Sequence, residues 1–530
     1  MSFATSPVST WATSNVPYST NSYVNALITN RDGKWGGAVG TGVTLSYSFP
    51  WADGAAASWG YNGETTANVK FGFSANQQNV TRAALQSWSN VANVRFEEVA
   101  ETSTDVGVLR FGFTSQIETY WGHAYYPNAH LAQGGDVWVN PKNNKAWDAV
   151  SYDAMAVVHE IGHTLGLKHP FEGTVQLPKD LDYRNYTVMS YTNPEVAYTF
   201  DTEAQKWVFP INKPMVYDVL AIQYLYGANW SYRTGDDVYT YDPKRGFFDT
   251  IWDAGGNDTL DLSNFDTDLV LNLNDGAYST ARVANWNAKD NLGIAYGAVI
   301  ENAEGGSGND QITGNGADNV LEGNGGQDTL FGAAGNDTLI GGAGLNLLDG
   351  GQGFDIAMFR GVKNDYTATK NGDTIIVTAK DGSSVDTLVN MERVTFSDGI
   401  LAFDTDGIAG QAYRLYQAAF DRKPDAEGLG YWIRQLESGK TIQWATDHFV
   451  RSDEFARLYG DSQTVDNIKY SELLYRNTLG RQYEQAGLDY WVGQLEKGAV
   501  TRDSMLEAFS DSLENKSNVA HAISDGIWFA

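Results

Sequence analysis

A nine-residue period in the middle of the chain restricts its architecture more than any other feature. Residues 305–358 divide into six consecutive nonads: GGSGNDQIT, GNGADNVLE, GNGGQDTLF, GAAGNDTLI, GGAGLNLLD and GGQGFDIAM. A fixed period over this length is typical of a repeat architecture, in which each unit stacks on its neighbours. The recurrence of glycine, aspartate and an aliphatic residue predicts a parallel β-roll of calcium-binding nonapeptides.

Each position of the nonad has a predicted role. The glycines permit a tight turn whose carbonyls face a cation, the sixth position supplies a carboxylate, and the eighth points an aliphatic side chain inward. The sixth positions are Asp310, Asn319, Asp328, Asp337, Asn346 and Asp355, and the eighth positions are Ile312, Leu321, Leu330, Leu339, Leu348 and Ala357. If two nonads make one turn of the roll, calcium ions lie between residues 18 apart.

This spacing ranks the predicted calcium sites. The four pairs are Asp310 with Asp328, Asp337 with Asp355, Asn319 with Asp337, and Asp328 with Asn346. The first two pairs hold two carboxylates each, whereas the last two hold one. We expect the mixed sites to bind calcium more weakly, because they have one negative charge fewer.

Charge and the lack of cysteine exclude several classes of protein. The 530 residues carry 65 acidic against 36 basic side chains, a formal net charge of −29, and no basic patch is segregated from the rest. Nucleic acid and anionic lipid would therefore be repelled. The absence of cysteine excludes disulfides, cysteine-ligated zinc and thiol nucleophiles, so a transition-metal site must use His, Asp, Glu or Tyr.

The chain shows no signal for a membrane or for a cleavable leader of the usual kind. No apolar run approaches the roughly 18 residues that cross a bilayer, so we expect no transmembrane segment. The first 30 residues contain no Lys or Arg and no continuous apolar centre, unlike a secretory signal. The Ser-, Thr- and Asn-rich residues 1–20 suggest a flexible leader or a short propeptide.

One helical segment concentrates the residue types that a cysteine-free metal site needs. The predicted helix Asp153–Leu167 places His159 and His163 four residues apart, so both imidazoles lie on one face and can share a metal ion. Glu160 lies beside them, in position to activate a metal-bound water.

The residues that follow supply a third ligand. Gly166 can take the left-handed conformation that ends a helix, so the chain turns and His169 reaches the same ion. The whole string HEIGHTLGLKHP fits HExxHxxGxxH. A bare HExxH also occurs on purely structural helices, whereas the third histidine and the glycine favour a metal site.

A second motif completes a resemblance to a known family. Met189 and Tyr191, in VMSYT, lie where a tight turn can support the site. HExxHxxGxxH followed by this Met-turn resembles the metzincins, and the tyrosine two residues after the methionine resembles the serralysin family of secreted bacterial zinc endopeptidases. The resemblance covers roughly residues 20–400 and then stops.

The resemblance implies a role for each polar residue of these motifs. His159, His163 and His169 would bind one catalytic Zn²⁺. Glu160 would be the general base, and Tyr191 would be an additional ligand that swings away to stabilise the oxyanion. A plain core tyrosine is the alternative for Tyr191. The segments GHAYYP and GGDVWVN, within residues 122–140, resemble the metzincin edge strand, to which an extended peptide substrate adds as a further strand.

The resemblance also implies calcium ligands at the junction with the nonads, with Arg and Gly contributing main-chain carbonyls. These residues are Arg233, Gly235, Asp237, Asp253, Gly255, Asp258, Glu301, Gly306, Gly308 and Asp310. Several structural Ca²⁺ ions are therefore expected. A glycine-rich, solvated surface without metal is the alternative.

A duplicated helical module follows at about residue 405. Nine identities recur at an offset of 59 residues, among them Tyr431 and Trp432, which recur as Tyr490 and Trp491. The module resembles one appended to bacterial repeat-in-toxin (RTX) and surface proteins. The YW pairs are most simply core residues, and binding of glycans or a cell surface is the alternative. The chain ends in DGIWFA, which is either part of a secretion signal or a buried apolar tail.

These observations predict a multidomain chain with an α+β metzincin-like catalytic domain, a parallel β-roll of calcium-binding nonapeptides and an all-α C-terminal module. The predicted boundaries are a leader at residues 1–20, a zinc metalloprotease domain at 21–245, the β-roll at 246–404, and the helical module with a C-terminal secretion signal at 405–530.

The predicted function is a secreted, extracellular zinc-dependent endopeptidase that hydrolyses proteins and peptides by Glu160-activated zinc-bound water. In the calcium-poor cytosol the carboxylates of the roll would repel one another and keep it unfolded, which suits export through a type I secretion apparatus. A non-enzymatic calcium-dependent adhesion protein with a protease-like scaffold, associated with the cell surface, is the alternative. An intracellular peptidase is disfavoured, because the roll needs external calcium.

Overall fold

The computed structural model describes residues 12–29, 32–52, 63–101, 106–117, 119–283, 286–460 and 464–530. Residues 1–11 of the predicted leader lie outside this description. The chain divides into two compact units, residues 1–315 (the N-terminal unit) and residues 316–530 (the C-terminal unit). This division is coarser than the four predicted domains, which stay a prediction. None of the described helices combines the length and the apolar character needed to span a bilayer.

The N-terminal unit begins with a mixed sheet and the helices that cover it, which confirms the predicted α+β character. Its elements up to residue 226 are β1 (Thr13–Asn15), α1 (Ser22–Leu27), β2 (Asp32–Trp35), β3 (Val43–Ser48), β4 (Lys70–Gly72), α2 (Ala75–Val91), β5 (Val94–Glu98), β6 (Leu109–Thr114), β7 (Gly122–Ala124), β8 (Val137–Val139), α3 (Tyr152–Thr164), β9 (Thr199–Asp201), β10 (Lys206–Val208) and α4 (Val216–Tyr226).

The sheet that flanks the candidate site has the strand order β5-β3-β6-β8-β7, with β4 paired to β6. Strands β5, β3, β6 and β8 run parallel to one another, whereas β4 pairs antiparallel with β6, and β7 pairs antiparallel with β8 and lies at the edge. Of the two predicted edge segments, GHAYYP contains the edge strand β7, whereas GGDVWVN contains β8, which lies between β6 and β7. Strand β6 is buried along its whole length, and α2 packs on α3 through Trp88, whose Nε1 donates to the carbonyl of Val158 (3.2 Å).

Helix α3 is fixed at both ends by its own sequence. The Ser151 hydroxyl caps its N-terminus by accepting from the amide of Ala154. The helix ends at Thr164, three residues earlier than predicted, because Gly166 adopts φ +104°. A Cβ at residue 166 would lie 1.9 Å from the carbonyl oxygen of Gly33, so only glycine permits this close approach.

The rest of the N-terminal unit consists of short strands. They are β11 (Val238–Thr240), β12 (Asp249–Ile251), β13 (Thr259–Asp261), β14 (Leu269–Asn272), β15 (Tyr278–Ala281), β16 (Leu292–Ile294), β17 (Asn302–Glu304) and β18 (Gln311–Thr313). One parallel stack has the order β11-β13-β17, and the second sheet has the order β12-β16-β15-β14-β18, with β15 antiparallel to both of its neighbours.

The C-terminal unit continues with short parallel strands and ends in helices. Its elements are β19 (Val320–Glu322), β20 (Gly325–Gly326), β21 (Thr329–Phe331), β22 (Thr338–Ile340), β23 (Ala343–Asp349), β24 (Ile356–Met358), β25 (Tyr366–Asn371), β26 (Thr374–Ala379), β27 (Ser384–Val389), β28 (Arg393–Phe396), β29 (Gly399–Ala402), α5 (Ile408–Phe420), α6 (Ala426–Glu437), α7 (Ile442–Val450), α8 (Asp453–Tyr459), α9 (Asn467–Leu479), α10 (Gln485–Glu496), α11 (Arg502–Ser510), α12 (Leu513–Ile523) and β30 (Ile527–Phe529).

The nonads of this unit stack with the predicted register. Leu321 pairs with Leu339, and Leu339 pairs with Ala357, each an offset of 18 residues between parallel strands. Leu330 pairs with Leu348 in the same way on the other face. Every predicted inward residue of the six nonads is fully buried, at 0% exposure. Two nonads therefore make one turn, and the aliphatic side chains form the interior.

Helices α5–α12 form a second core in the C-terminal unit, as the predicted all-α module requires. The duplication is visible in its ion pairs, because Arg422 contacts Glu454 in the first half and Arg481 contacts Glu514 in the second. Each arginine also lies over a tyrosine ring, 5.0 and 5.1 Å from its centre.

The YW pairs divide between the core and the surface of this module. Trp432 and Trp491 are partly buried against its core, whereas Tyr431 and Tyr490 are 48% and 57% exposed. The core interpretation is therefore right for the tryptophans and wrong for the tyrosines, because neighbouring residues of a helix point in different directions. The final strand β30 pairs with β29 and buries Phe529, so DGIWFA contributes an apolar tail to the folded unit.

Candidate active site and calcium sites

The three predicted zinc ligands meet at one point. His163 Nε2 lies 3.0 Å from His169 Nε2, which lies 3.3 Å from His159 Nε2. Four ligands at zinc–nitrogen distances of 2.0–2.1 Å in a tetrahedron are about 3.3 Å apart. The spacing of the imidazoles therefore matches that of ligands sharing one zinc ion.

Hydrogen bonds at the Nδ1 atoms of His159 and His163 fix the orientation of the two rings and therefore of their Nε2 atoms. His159 Nδ1 lies 2.7 Å from the carbonyl oxygen of Val188, and His163 Nδ1 lies 2.7 Å from that of Leu167. Since a carbonyl only accepts, both Nδ1 atoms are donors. Burial lowers the pKa of His159 to about 3 and the pKa of His163 well below its ordinary value, so both rings are neutral.

The third imidazole follows the same rule. His169 Nδ1 lies 2.8 Å from a carboxylate oxygen of Glu172, which also only accepts. When His169 is neutral like the other two rings, all three Nε2 atoms present lone pairs to one another at short range. Such an arrangement is repulsive unless a cation lies between them, and a neutral imidazole nitrogen is a preferred ligand of zinc. The residues present fit a zinc ion.

The Met-turn lies directly beneath α3. Met189 is fully buried, and a Cβ added at Gly162 would lie 2.6 Å from its sulfur. The glycine inside HEIGH therefore lets the methionine approach the helix closely, in agreement with the predicted turn that supports the site. The turn also provides the Val188 carbonyl that orients His159.

A buried carboxylate of helix α4 holds this turn. Asp218 is fully buried, and its oxygens accept from the Thr187 hydroxyl (2.6 Å) and from the amides of Val188 (2.7 Å) and Met215 (2.8 Å). Burial raises the pKa of Asp218 to about 7, against the opposing effect of these donors. Sequence reasoning missed this residue, because an isolated aspartate in an apolar helix carries no motif.

Glu160 faces the cleft beside the imidazoles. It is 7% exposed, and its Oε2 has no hydrogen-bond partner among the described residues. Burial raises the pKa of Glu160 to about 8 in the metal-free chain. A buried carboxyl without a partner at the mouth of a cleft is typical of a group that exchanges protons with a ligand.

Tyr191 stands over the same cleft. Its ring centre lies 4.5 Å from that of His169 and 5.7 Å from that of His159, and the residue is 55% exposed. Burial of the hydroxyl, with the nearby Glu160 and Glu172, raises the pKa of Tyr191 to about 12. The phenol therefore stays protonated and can donate to an oxygen that develops negative charge.

One predicted calcium cluster is brought together in the N-terminal unit. One carboxylate oxygen each from Asp237, Asp253 and Asp258 lies within 4.8 Å of the others. The second oxygen of Asp258 is buried without a hydrogen-bond partner, and burial with the nearby carboxylates raises the pKa of Asp258 to about 6. Because three carboxylates at this spacing repel, a cation fits the cluster.

The other residues predicted as calcium ligands near this cluster make the following contacts. The segment of Arg233 and Gly235 lies against the cluster, since a Cβ at Gly256 would meet the Gly235 carbonyl at 2.2 Å. Gly255 donates its amide to Asp253 (2.9 Å). Glu301 accepts from the amide of Asp258 (2.7 Å).

Asp310 and its glycines lie apart from this cluster. Asp310 accepts from the amides of Leu269 (2.9 Å) and Gly306 (2.7 Å), so the group that Gly306 directs at Asp310 is its N–H. Gly308 packs against the backbone of residues 267–268. Burial raises the pKa of Asp310 to about 6.

The sixth-position residues of the C-terminal unit touch one another at the predicted spacing. The backbone N–H of Asn319 donates to the side chain of Asp337 (2.8 Å). In the same way the backbone N–H of Asp328 donates to the side-chain oxygen of Asn346 (3.0 Å), and that of Asp337 donates to the side chain of Asp355 (2.8 Å). The remaining oxygens of Asp337 and Asp355 are buried without a hydrogen-bond partner among the described residues. These oxygens lie near glycine carbonyls, for example Asp337 Oδ2 near Gly350 O beside Gly332, and this oxygen set fits Ca²⁺.

A further buried carboxylate, which the sequence analysis did not predict, contacts one of these sixth-position side chains. Asp386 on β27 accepts from the Asn346 side chain (2.7 Å), and its second oxygen has no hydrogen-bond partner among the described residues. Burial raises the pKa of Asp386 to about 6. No nonad contains this residue, so the repeat register could not reveal it.

Comparisons with known families cover most of the chain in three parts. The Matrixin model matches residues 61–192, and the model described as Peptidase M10 serralysin C terminal matches residues 223–420. A domain of unknown function, DUF4214, matches residues 411–443 and 446–519, which is the helical module.

Individual relatives agree with the first two of these matches. Serralysin of Proteus mirabilis is 33% identical over 55% of this chain and 64% of its own length. Metallopeptidase AprA of Pseudomonas marginalis is 36% identical over 46% of this chain and 55% of its own, and Serralysin C of Dickeya chrysanthemi is 37% identical over 54% and 62%. The chain thus spans less than two thirds of the relatives it matches.

The matched models, the relatives and the site geometry agree on one family. The serralysin family is zinc-dependent and calcium-binding, and the three histidines of this chain form the metal-binding group that such a family requires. Over residues 61–192 and 223–420 the chain therefore matches the serralysin family of metzincins.

Proposed function

We propose that this protein is a secreted zinc-dependent endopeptidase that hydrolyses peptide bonds of extracellular proteins and is folded and stabilised by calcium. The observation that carries the proposal is the convergence of three imidazole Nε2 atoms beside the unpartnered carboxyl of Glu160. His159, His163 and His169 would hold the ion. When bound, Zn²⁺ supplies a Lewis acid that acidifies water and polarises a peptide carbonyl.

Glu160 performs the proton transfers in this proposal. Its Oε2 accepts a proton from the attacking water and then donates it to the nitrogen of the leaving amine, so one carboxyl serves as base and then as acid. Its position within the cleft, at 7% exposure, keeps bulk water from competing for the proton.

Tyr191 and strand β7 position and stabilise the substrate. The Tyr191 hydroxyl donates to the carbonyl oxygen as it gains negative charge, which is the task of an oxyanion-stabilising group. Strand β7 lies at the edge of its sheet and lines the cleft with Gly122. An extended peptide can therefore pair with the edge through main-chain groups, which permits loose sequence preference.

Calcium is proposed to complete the fold outside the cell. The ligands would be the cluster of Asp237, Asp253 and Asp258 with the surrounding residues predicted above, and the sixth-position residues of the nonads. Their buried carboxylates repel without cations, so low cytosolic calcium keeps this part unfolded and compatible with a type I secretion apparatus. The helical module would provide contacts with a cell surface or a glycan.

One assay separates this proposal from a non-enzymatic adhesion protein. Purified protein should contain about one tightly held zinc per chain and should hydrolyse casein in a reaction that a zinc chelator stops and added zinc restores. Protein that holds zinc and calcium, is folded, and hydrolyses no protein or peptide substrate would instead support the adhesion function.

A further inference from the structure

A cavity of about 500 Å³ opens beside Glu160 and contains a charge that the proposed mechanism does not use. Its wall is formed by Tyr152, Met155 and Ala156 of α3 and by Arg184 and Asn193 of the chain around the Met-turn. The apolar part of this wall suits a side chain of the substrate. The arginine makes the cavity chemically selective.

Arg184 is held firmly and is almost completely buried. It is 6% exposed, its amide donates to the carbonyl of Thr192 (2.9 Å), and its guanidinium lies 5.3 Å from the centre of the Tyr152 ring. Its Nη1 donates to the side-chain oxygen of Asn193. The guanidinium is therefore fixed before any ligand arrives, which lowers the entropic cost of binding one.

Among the described residues, the guanidinium of Arg184 has no counter-ion. No carboxylate of the described residues forms an ion pair with Arg184, and its buried Nε has no hydrogen-bond partner there. Arg110 shows what the same fold does with a structural arginine, since it is fully buried and bound to the carboxylate of Asp136 (2.6 Å). A buried cation is costly without an anion, and Arg184 lines the cavity.

We propose that this cavity is a specificity subsite for an acidic side chain, Asp or Glu, next to the scissile bond of the substrate, with Arg184 as its specificity-determining residue. The inference rests on the proposed function and names the substrate class of that same cleft. The substrate carboxylate would supply the missing anion and accept from the guanidinium, a planar donor that matches a carboxylate.

Matched peptides test the proposal. Two peptide series differ only by Glu or Gln at each position flanking the cleaved bond, and kcat/KM is measured for each with the zinc- and calcium-loaded protein. At one position we expect the Glu peptide to be cleaved at least about tenfold better than the Gln peptide, since a charge-assisted hydrogen bond in a buried site is worth that much or more. Equal cleavage of the pair at every position would overturn the proposal.

Variants separate specificity from structural support. Arg184→Gln should reduce the Glu/Gln ratio to about 1 while the Gln peptide is still cleaved, and Arg184→Lys should keep part of the ratio because it keeps the charge. Arg95→Gln, which removes an exposed arginine of β5, should leave the ratio unchanged. If Arg184→Gln slows both peptides equally, Arg184 only holds the loop to Asn193 and the proposal is wrong.

A binding measurement keeps this inference distinct from the proposed activity. If the wild-type protein cleaves neither peptide, the endopeptidase proposal fails, and calorimetric binding of the same peptides to zinc-loaded protein decides about the subsite. Tighter binding of the Glu peptide, lost in Arg184→Gln, supports the inference. Equal binding contradicts it.

Discussion

The Nδ1 atom of His159 lies 2.7 Å from the carbonyl oxygen of Val188, so the Met-turn orients a zinc ligand as well as packing beneath it. Asp218 holds this turn, because it accepts from the Val188 amide and the Thr187 hydroxyl. A carboxylate on α4 thus reaches the metal site through the backbone of one residue, Val188. Partners that orient a metal ligand affect the affinity for the metal without touching it.

Removal of this carboxylate should weaken zinc binding. We expect Asp218→Ala to lower zinc affinity by about 10- to 100-fold. Because three buried donors lose their acceptor, we also expect it to lower the free energy of unfolding by about 2–4 kcal/mol. Competition with a chromogenic chelator and urea denaturation measure the two effects. Unchanged zinc affinity in a folded variant would show that the turn orients His159 without Asp218.

The glycine that ends α3 offers a second test. Gly166→Ala places a Cβ where the Gly33 carbonyl lies and requires φ +104° of an alanine, so we expect a loss of at least about 2 kcal/mol in stability and a displaced His169. Thermal unfolding and zinc content report both. Gly493→Ala is the control, because that glycine is on helix α10 with open space around it and the substitution should be neutral or stabilising. Equal behaviour of the two variants would contradict the assigned role of Gly166.

The ranking of the calcium sites predicts that one substitution weakens calcium binding and that another strengthens it. Asp337→Asn should weaken calcium binding, because Asp337 accepts from Asn319 and extends an unpartnered oxygen toward Gly350. Asn319→Asp should strengthen binding at the mixed site by adding a carboxylate. Calcium titration followed by calorimetry measures both, and a weaker site in Asn319→Asp would refute the ranking.

The pH dependence of stability should reverse with calcium. Without calcium, the folded pKa of Asp337 is about 6 and thus above the value of about 4 for an unfolded aspartate, so the folded state binds more protons and loses stability as pH rises from 4 through 6. With saturating calcium the ionised form binds the cation, so stability should rise over the same range. Urea midpoints between pH 4 and 7, with calcium and with a calcium chelator, test this. Parallel curves would contradict it.

Much of the site is predictable because its signals are local in sequence. The spacing of His159 and His163 follows the period of one helix, and the 18-residue register follows from the nonads alone. Arg184 and Asp218 could not be predicted, because each acts through partners on other elements and has no neighbouring motif. Asp386 could not be predicted either, because its strand β27 pairs with β23 although it lies outside the nonads.

Substitution of Glu160 is the decisive test of the proposed hydrolysis. Glu160→Gln should keep the fold, about one zinc per chain and calcium binding, while casein hydrolysis falls by at least about 10³-fold, within the range that a general base contributes. Glu97→Gln, at an exposed glutamate of β5, should keep full activity. If zinc-loaded Glu160→Gln hydrolyses casein at the wild-type rate, the proposed mechanism is wrong.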